Sequence, residues 1–142
     1  MGSITVGKYA GFCFGVKRAV DKVNSLTSGS DGETRFYTTG ELIHNPSIIA
    51  ELRRKGVEPA SEDELREICA GKSDGVRRTV VIRAHGVPRG LSDLLTARAM
   101  CDPLFTVEDC TCPYVKKIHR IVDENTSPDT LTAILGDEGH PE

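Results

Sequence analysis

Two cysteines in this chain stand where a thiol can react. Cys112 lies in the stretch Val107-Glu108-Asp109-Cys110-Thr111-Cys112-Pro113-Tyr114-Val115-Lys116-Lys117, which reads as a strand, a tight turn and a helix. Pro113 suits the first helical position, because its φ is fixed and no amide hydrogen is needed there. Cys112 then sits at or beside the helix N-cap, where the positive end of the dipole lowers a thiol pKa. A thiolate there can be a nucleophile or a metal ligand. Gly11-Phe12-Cys13-Phe14-Gly15-Val16 repeats the logic, a cysteine between an expected strand and a helix. The pair could hold zinc, iron or an iron–sulfur cluster. A Cys2His2 zinc set is conceivable, but the separation of Cys13 from Cys112 is long for a zinc finger. Cys112-Pro113 resembles the Cys-Pro ending of ferredoxin-type cluster ligands, a weak signal alone.

Histidines supply the second kind of chemistry. His44 and His85 each precede an expected helix start, and could bind a diphosphate by hydrogen bond and charge. Taken singly, either is more often a satisfied structural residue. His140 and Glu142 could form a proton relay, although Glu142 is the last residue and can simply be mobile. His119 falls inside a helix and reads as structural.

The elements that must position these groups alternate between strand and helix. Expected strands are Ser3–Tyr9, Arg35–Thr38, Thr79–Ile82, Leu104–Val107 and Thr130–Leu135, with a short extended piece at Val57–Pro59. Expected helices run over Val16–Leu26, from Pro46 to Gly56 with Asn45 as N-cap, from the capping box Ser61-Glu62-Asp63-Glu64 to Ala70, over Leu91 to about Met100, and from Pro113 to near Glu124. This alternation implies an α/β fold with a mostly parallel sheet. Cys13, His44, His85, Cys112 and His140 all fall just after an expected strand. In open parallel sheets, ligands bind at that end.

The chain has 142 residues, 38% hydrophobic and 27% charged, enough for one domain with a real core. A formal charge of -3 argues against nucleic acid as partner, while Lys116-Lys117 could still meet a small anion. No apolar run approaches the ~20 residues of a membrane span. Met1 to Lys8 lacks an apolar signal core. The expected location is cytoplasmic, away from membranes. Five cysteines form no disulfide framework of a small secreted domain. Cys69 and Cys101 read as core residues, and the role of Cys110 is open.

Five motifs together resemble the 4-hydroxy-3-methylbut-2-enyl diphosphate reductase family, also called IspH or LytB. They are Gly11-Phe12-Cys13-Phe14-Gly15-Val16-Lys17-Arg18-Ala19-Val20, Gly40-Glu41-Leu42-Ile43-His44-Asn45-Pro46, Arg83-Ala84-His85-Gly86-Val87-Pro88, Thr111-Cys112-Pro113-Tyr114-Val115-Lys116-Lys117 and Gly139-His140-Pro141-Glu142. The resemblance implies a two-electron, two-proton removal of an allylic hydroxyl, giving isopentenyl and dimethylallyl diphosphate in isoprenoid biosynthesis by the methylerythritol phosphate route. It implies a [4Fe-4S] cluster on three cysteines, with Cys13 and Cys112 matching two of them and the third absent from this chain. It implies that His44, His85 and His140 bind substrate, that Glu142 with His140 serves proton delivery, and that ferredoxin or flavodoxin donates electrons.

Two departures bear on function. Cys110 stands where the family usually has alanine; it either competes for iron or fills a small site, and the second reading is favoured. Family members are about twice as long, with three α/β lobes. On that pattern residues 1–112 form the first lobe and 113–142 the start of a second, apparently truncated. The expectation is an isolated chain with half a site and no turnover. Its region beyond about Asn125 would be frayed, or would self-associate through the helix carrying Val115, Ile118 and Val122. The competing reading is a non-catalytic α/β module that binds a phosphate ligand or zinc.

Overall fold

The computed structural model describes residues 2–8, 10–30, 32–133 and 135. Its centre is a four-stranded, all-parallel sheet in the order β2-β1-β3-β4. The strands are β1 (Arg35–Thr39), β2 (Val57–Ala60), β3 (Arg78–Ile82) and β4 (Phe105–Asp109). Five helices accompany them: α1 (Phe14–Ser28), α2 (Pro46–Arg54), α3 (Glu62–Ala70), α4 (Arg89–Cys101) and α5 (Pro113–Asn125).

Both faces of the sheet are covered, which is why β3 reads as an unbroken apolar run. Val81 points into one core with Ala19, Val20 and Val23 of α1, Phe36 of β1 and Leu52 of α2. Val80 and Ile82 point into the other with Leu65 and Cys69 of α3, Leu91 and Leu95 of α4, and Phe105 of β4. The α/β reading of the sequence therefore holds, and Cys69 is a core residue.

The order of the strands matters for function. From β1 the chain crosses to β2 on one side, then returns to place β3 on the other side of β1. The carboxyl ends of β1 and β3 therefore flank a topological switch point, where open parallel sheets form a crevice.

Several expectations are corrected. Residues 3–8 form no strand; Ile4 is 94% exposed and Val6 74%. Alternating apolar residues gain nothing from the extended state unless a face is buried and a ladder is paired. Thr130–Leu135 is no strand either over its described residues 130–133 and 135. There the Thr130 hydroxyl accepts the Ser127 N–H at 2.7 Å while the Thr130 N–H donates to Ser127 O at 3.1 Å, closing a turn instead. The short piece at Val57–Pro59 is a true edge strand, β2, and an edge tolerates Pro59. Cys101, expected in the core, is exposed at the last position of α4. Helix α1 begins at Phe14, so Cys13 itself is the N-cap. Among the described residues, no helix is long and apolar enough to cross a membrane.

Candidate functional site

Three of the side chains singled out by sequence follow strands at the same edge of the sheet: His44 after β1, His85 after β3 and Cys112 after β4. Cys13 does not follow a strand, because residues 3–8 form none. It reaches the site as the cap of α1. His140 and Glu142 lie outside the described residues.

Cys112 caps α5 with Pro113 at the first helical position. Every backbone polar group of Thr111 and Cys112 is bonded. The Thr111 N–H donates to Asp109 Oδ1 at 2.8 Å, and Thr111 O accepts from Arg18 Nη2 at 2.7 Å. The Cys112 N–H donates to Ala84 O at 2.8 Å, and Cys112 O accepts the Lys116 N–H at 2.9 Å. The turn is thus tied to α1, to the end of β3, to α5 and to its own Asp109. Partial burial raises the Asp109 carboxyl, but hydrogen bonds from Lys116 and Thr111 outweigh it and hold it below the usual carboxylate range.

Helix α1 meets this turn through Gly15. A Cβ on Gly15 would lie 2.8 Å from Cys112 Sγ and 2.9 Å from its Cβ, so only glycine permits the approach. Cys13 is two residues from that contact. Its thiol is exposed, and its side chain makes no cap hydrogen bond. The fold therefore joins the two cysteine stretches, one thiol on a fully tied turn and one at an open helix start.

The rings of His44 and His85 lie 6.2 Å apart, centroid to centroid, with a 35° tilt. They flank the switch point between β1 and β3. The Arg83 N–H donates to the buried Thr39 Oγ1 at 3.1 Å, which ties the two strand ends together just before the histidine loops diverge. His44 is exposed and its Nδ1 stands 3.8 Å from Glu41 Oε2. Beyond it Asn45 caps α2, accepting the N–H groups of Ser47 and Ile48. His85 leads through Gly86, with φ +79°, to α4. Two helix starts thus lie close after the paired imidazoles, a setting that favours an anion.

Cys110 is buried at 3% exposure in the α1 core. Burial pushes its thiol pKa up, with Arg18 offsetting part of the rise. That disfavours the thiolate a metal needs, so Cys110 acts as a small core residue.

Among the described residues, no group of three or more histidine, cysteine, aspartate or glutamate side chains could hold a metal ion. Cys13 and Cys112 carry the thiols nearest this contact in sequence, Cys13 as the cap of the helix that packs through Gly15 against Cys112.

Sequence reasoning passed over three residues. Arg18 links α1 to the Cys112 turn, yet it reads as an ordinary charge on an amphipathic helix. Thr39 is hidden in a strand. His119, whose place inside a helix reads as structural, sits against Gly86, with Cε1 3.4 Å from where a Cβ would be, and lines a cavity of about 790 Å³ together with His85. Its spacing of one helical turn from the buried Val115 was the available signal.

Comparison with known proteins agrees with this fold. The family model described as LytB protein matches residues 4–142. The 4-hydroxy-3-methylbut-2-enyl diphosphate reductase of Thermoanaerobacter sp. (strain X514) is 40% identical over 139 residues, covering 98% of this chain and 44% of the relative. The protein of that name from Aquifex aeolicus (strain VF5) is 36% identical over 142 residues, covering 100% and 44%. A solved structure of (E)-4-hydroxy-3-methyl-but-2-enyl diphosphate reductase, described as the terminal enzyme of the non-mevalonate pathway, aligns with a TM-score of 0.70 at 34% identity, over 97% of this chain and 43% of its own. The Plasmodium falciparum reductase structure shares the fold, with a TM-score of 0.64 at 22% identity, over 82% of this chain and 32% of its own. The chain spans less than half the length of the curated relatives it matches. With the family model running over nearly all of its residues, the chain belongs to the LytB protein family.

Proposed function

We propose that this chain carries cluster-binding and diphosphate-binding elements of a 4-hydroxy-3-methylbut-2-enyl diphosphate reductase. The observation that supports this best is that helix α1, capped by Cys13, packs through Gly15 directly against Cys112, while the His44 and His85 rings lie together at the switch point. Cys13 and Cys112 would hold two irons of a [4Fe-4S] cluster, and a third cysteine would have to come from outside these 142 residues. When bound, the cluster supplies two electrons and a Lewis-acidic iron for the allylic hydroxyl.

The remaining steps belong to this chain's side chains. His44 and His85 are close enough for both imidazoles to donate to one diphosphate, and the starts of α2 and α4 add positive potential. Held there, the diphosphate fixes the direction in which the allylic carbon chain extends. His140 and Glu142 would deliver protons at the hydroxyl. The allylic alcohol takes up two electrons and two protons; the C–O bond breaks, a C–H bond forms, and the oxygen departs as water. The products are isopentenyl and dimethylallyl diphosphate. In this reading residues 1–112 are one lobe and 113–142 begin the next, the electron donor is ferredoxin or flavodoxin, and the location is cytoplasmic.

Anaerobic reconstitution tests the reading on the chain itself. Iron, acid-labile sulfide and a brown visible spectrum are expected in the parent chain, and their loss in Cys13→Ser and in Cys112→Ser. Inorganic pyrophosphate is expected to shift the ring resonances of both His44 and His85. Tight zinc binding with no iron or sulfide uptake would overturn the reductase reading and favour a zinc-binding α/β module.

A further inference from the structure

The two cysteine stretches lie far apart in sequence, and one side chain bridges them. Arg18 belongs to the first turns of α1, the helix that begins at Cys13 and touches Cys112 through Gly15. Its Nη2 donates to Thr111 O at 2.7 Å. That carbonyl belongs to the peptide unit that enters Cys112. The N–H side of Thr111 is already held by Asp109, and both backbone groups of Cys112 are held by Ala84 and Lys116. Among the described residues, Arg18 therefore makes the only side-chain hydrogen bond between helix α1 and this turn.

We propose that Arg18 is a positioning residue that sets the placement of the Cys13 thiol relative to the Cys112 thiol. The argument is one of constraint. Apart from Arg18 itself, the turn carrying Cys112 is tied by Asp109, Ala84 and Lys116, so it hardly moves. Cys13 is exposed at a helix start preceded by residues without regular structure. Its position is set by where α1 sits. Gly15 lets α1 approach but cannot orient it, because a contact without a Cβ has no directional component. The Arg18 hydrogen bond is directional and charge-assisted. Its loss would leave α1 packed on its core through Val16, Ala19, Val20 and Val23, apolar contacts that resist separation but set the placement of its N-terminal end less sharply than a directional bond. The thiol pair would then bind a shared metal less well, although each thiol remained present.

The inference rests on the reading that Cys13 and Cys112 share a metal. Cobalt(II) is the probe, because thiolate-to-cobalt charge transfer reports the number of thiolates bound, without cluster assembly or turnover. The 142-residue chain is titrated anaerobically beside Arg18→Met, Arg18→Lys, Cys13→Ser and Cys112→Ser. The parent is expected to show a two-thiolate band, halved in each serine variant. Arg18→Met, which keeps the apolar stem and removes the donor, is expected to bind cobalt about tenfold more weakly, roughly 1.4 kcal/mol. Arg18→Lys restores a donor and is expected to recover most of that affinity. Thermal unfolding of each variant separates position from stability. The proposal is overturned by a parent chain without a two-thiolate band, by equal affinity in Arg18→Met, or by losses that follow the melting temperature through Arg18→Lys as well. Failed iron–sulfur assembly with an intact two-thiolate cobalt band would sink the reductase reading and leave the role of Arg18 standing.

Discussion

Gly15 packs against Cys112 so closely that a Cβ on it would stand 2.8 Å from Sγ and 2.9 Å from the cysteine Cβ. Gly15→Ala sets two effects against each other. Alanine in a helix is favoured over glycine by about 1 kcal/mol. The clash opposes it, and overpacking typically costs about 1–3 kcal/mol. The clash should win, because the Thr111-Cys112 backbone is held by four hydrogen bonds, two on each residue, and cannot retreat. The expected result is a lower urea midpoint and weaker cobalt binding. A stabilised Gly15→Ala with parent affinity would show that the contact is soft.

Thr39 joins the ends of β1 and β3 by accepting the Arg83 N–H. Thr39→Val keeps the shape and leaves that part-buried N–H without its acceptor, at a cost of about 1 kcal/mol, the low end of the range for a fully buried group. Thr39→Ser keeps the hydroxyl. Because the bond precedes both histidine loops, Thr39→Val should also weaken pyrophosphate binding, measured by titration, more than Thr39→Ser does. Equal binding in both variants would mean that the histidine loops hold their own positions.

What the sequence disclosed follows the range of the forces involved. Pro113 and the capping box at Ser61 act within a few residues, so α5 and α3 were legible at their starts. The contiguous apolar run of β3 identified a strand buried on both faces. Ile4 and Val6 have the alternation of a strand, but whether a partner edge exists is not written locally. The same holds for Leu131. At the site, Cys13 and Cys112 stood out because each opens a helix. Arg18 and His119 did not, since their partners, Thr111 and Gly86, are distant in sequence and close only in the fold.

Ser61 accepts the Glu64 N–H at 3.2 Å, and Glu64 accepts the Ser61 N–H at 2.7 Å. Ser61→Ala should destabilise the chain by about 1 kcal/mol. The slope of the urea transition should not change, because the core behind Leu65 and Cys69 still forms. Cobalt and pyrophosphate binding should also match the parent. A loss above about 3 kcal/mol would mean that α3 nucleates more of the sheet than its cap suggests.

Cys110 carries a pH dependence opposite to that of the carboxylates. Burial raises its folded-state pKa, while an unfolded-chain thiol titrates near ~8.5. Below that pH both states are protonated and the full stability is present. Above it the unfolded state releases the proton first, so stability falls as pH rises toward the folded pKa. Cys69, also raised by burial, adds to the same limb. Cys110→Ala removes one of these two thiols and leaves a small cavity. Urea unfolding at pH 7 and pH 9.5 should show a smaller alkaline loss in Cys110→Ala than in the parent, with its midpoint at pH 7 slightly reduced. Equal alkaline losses would mean that the Cys110 thiol ionises as readily in the folded chain as in the unfolded one. Cys110 could then compete with Cys112 for a metal, and the cobalt band of the parent would have to be divided among three thiols.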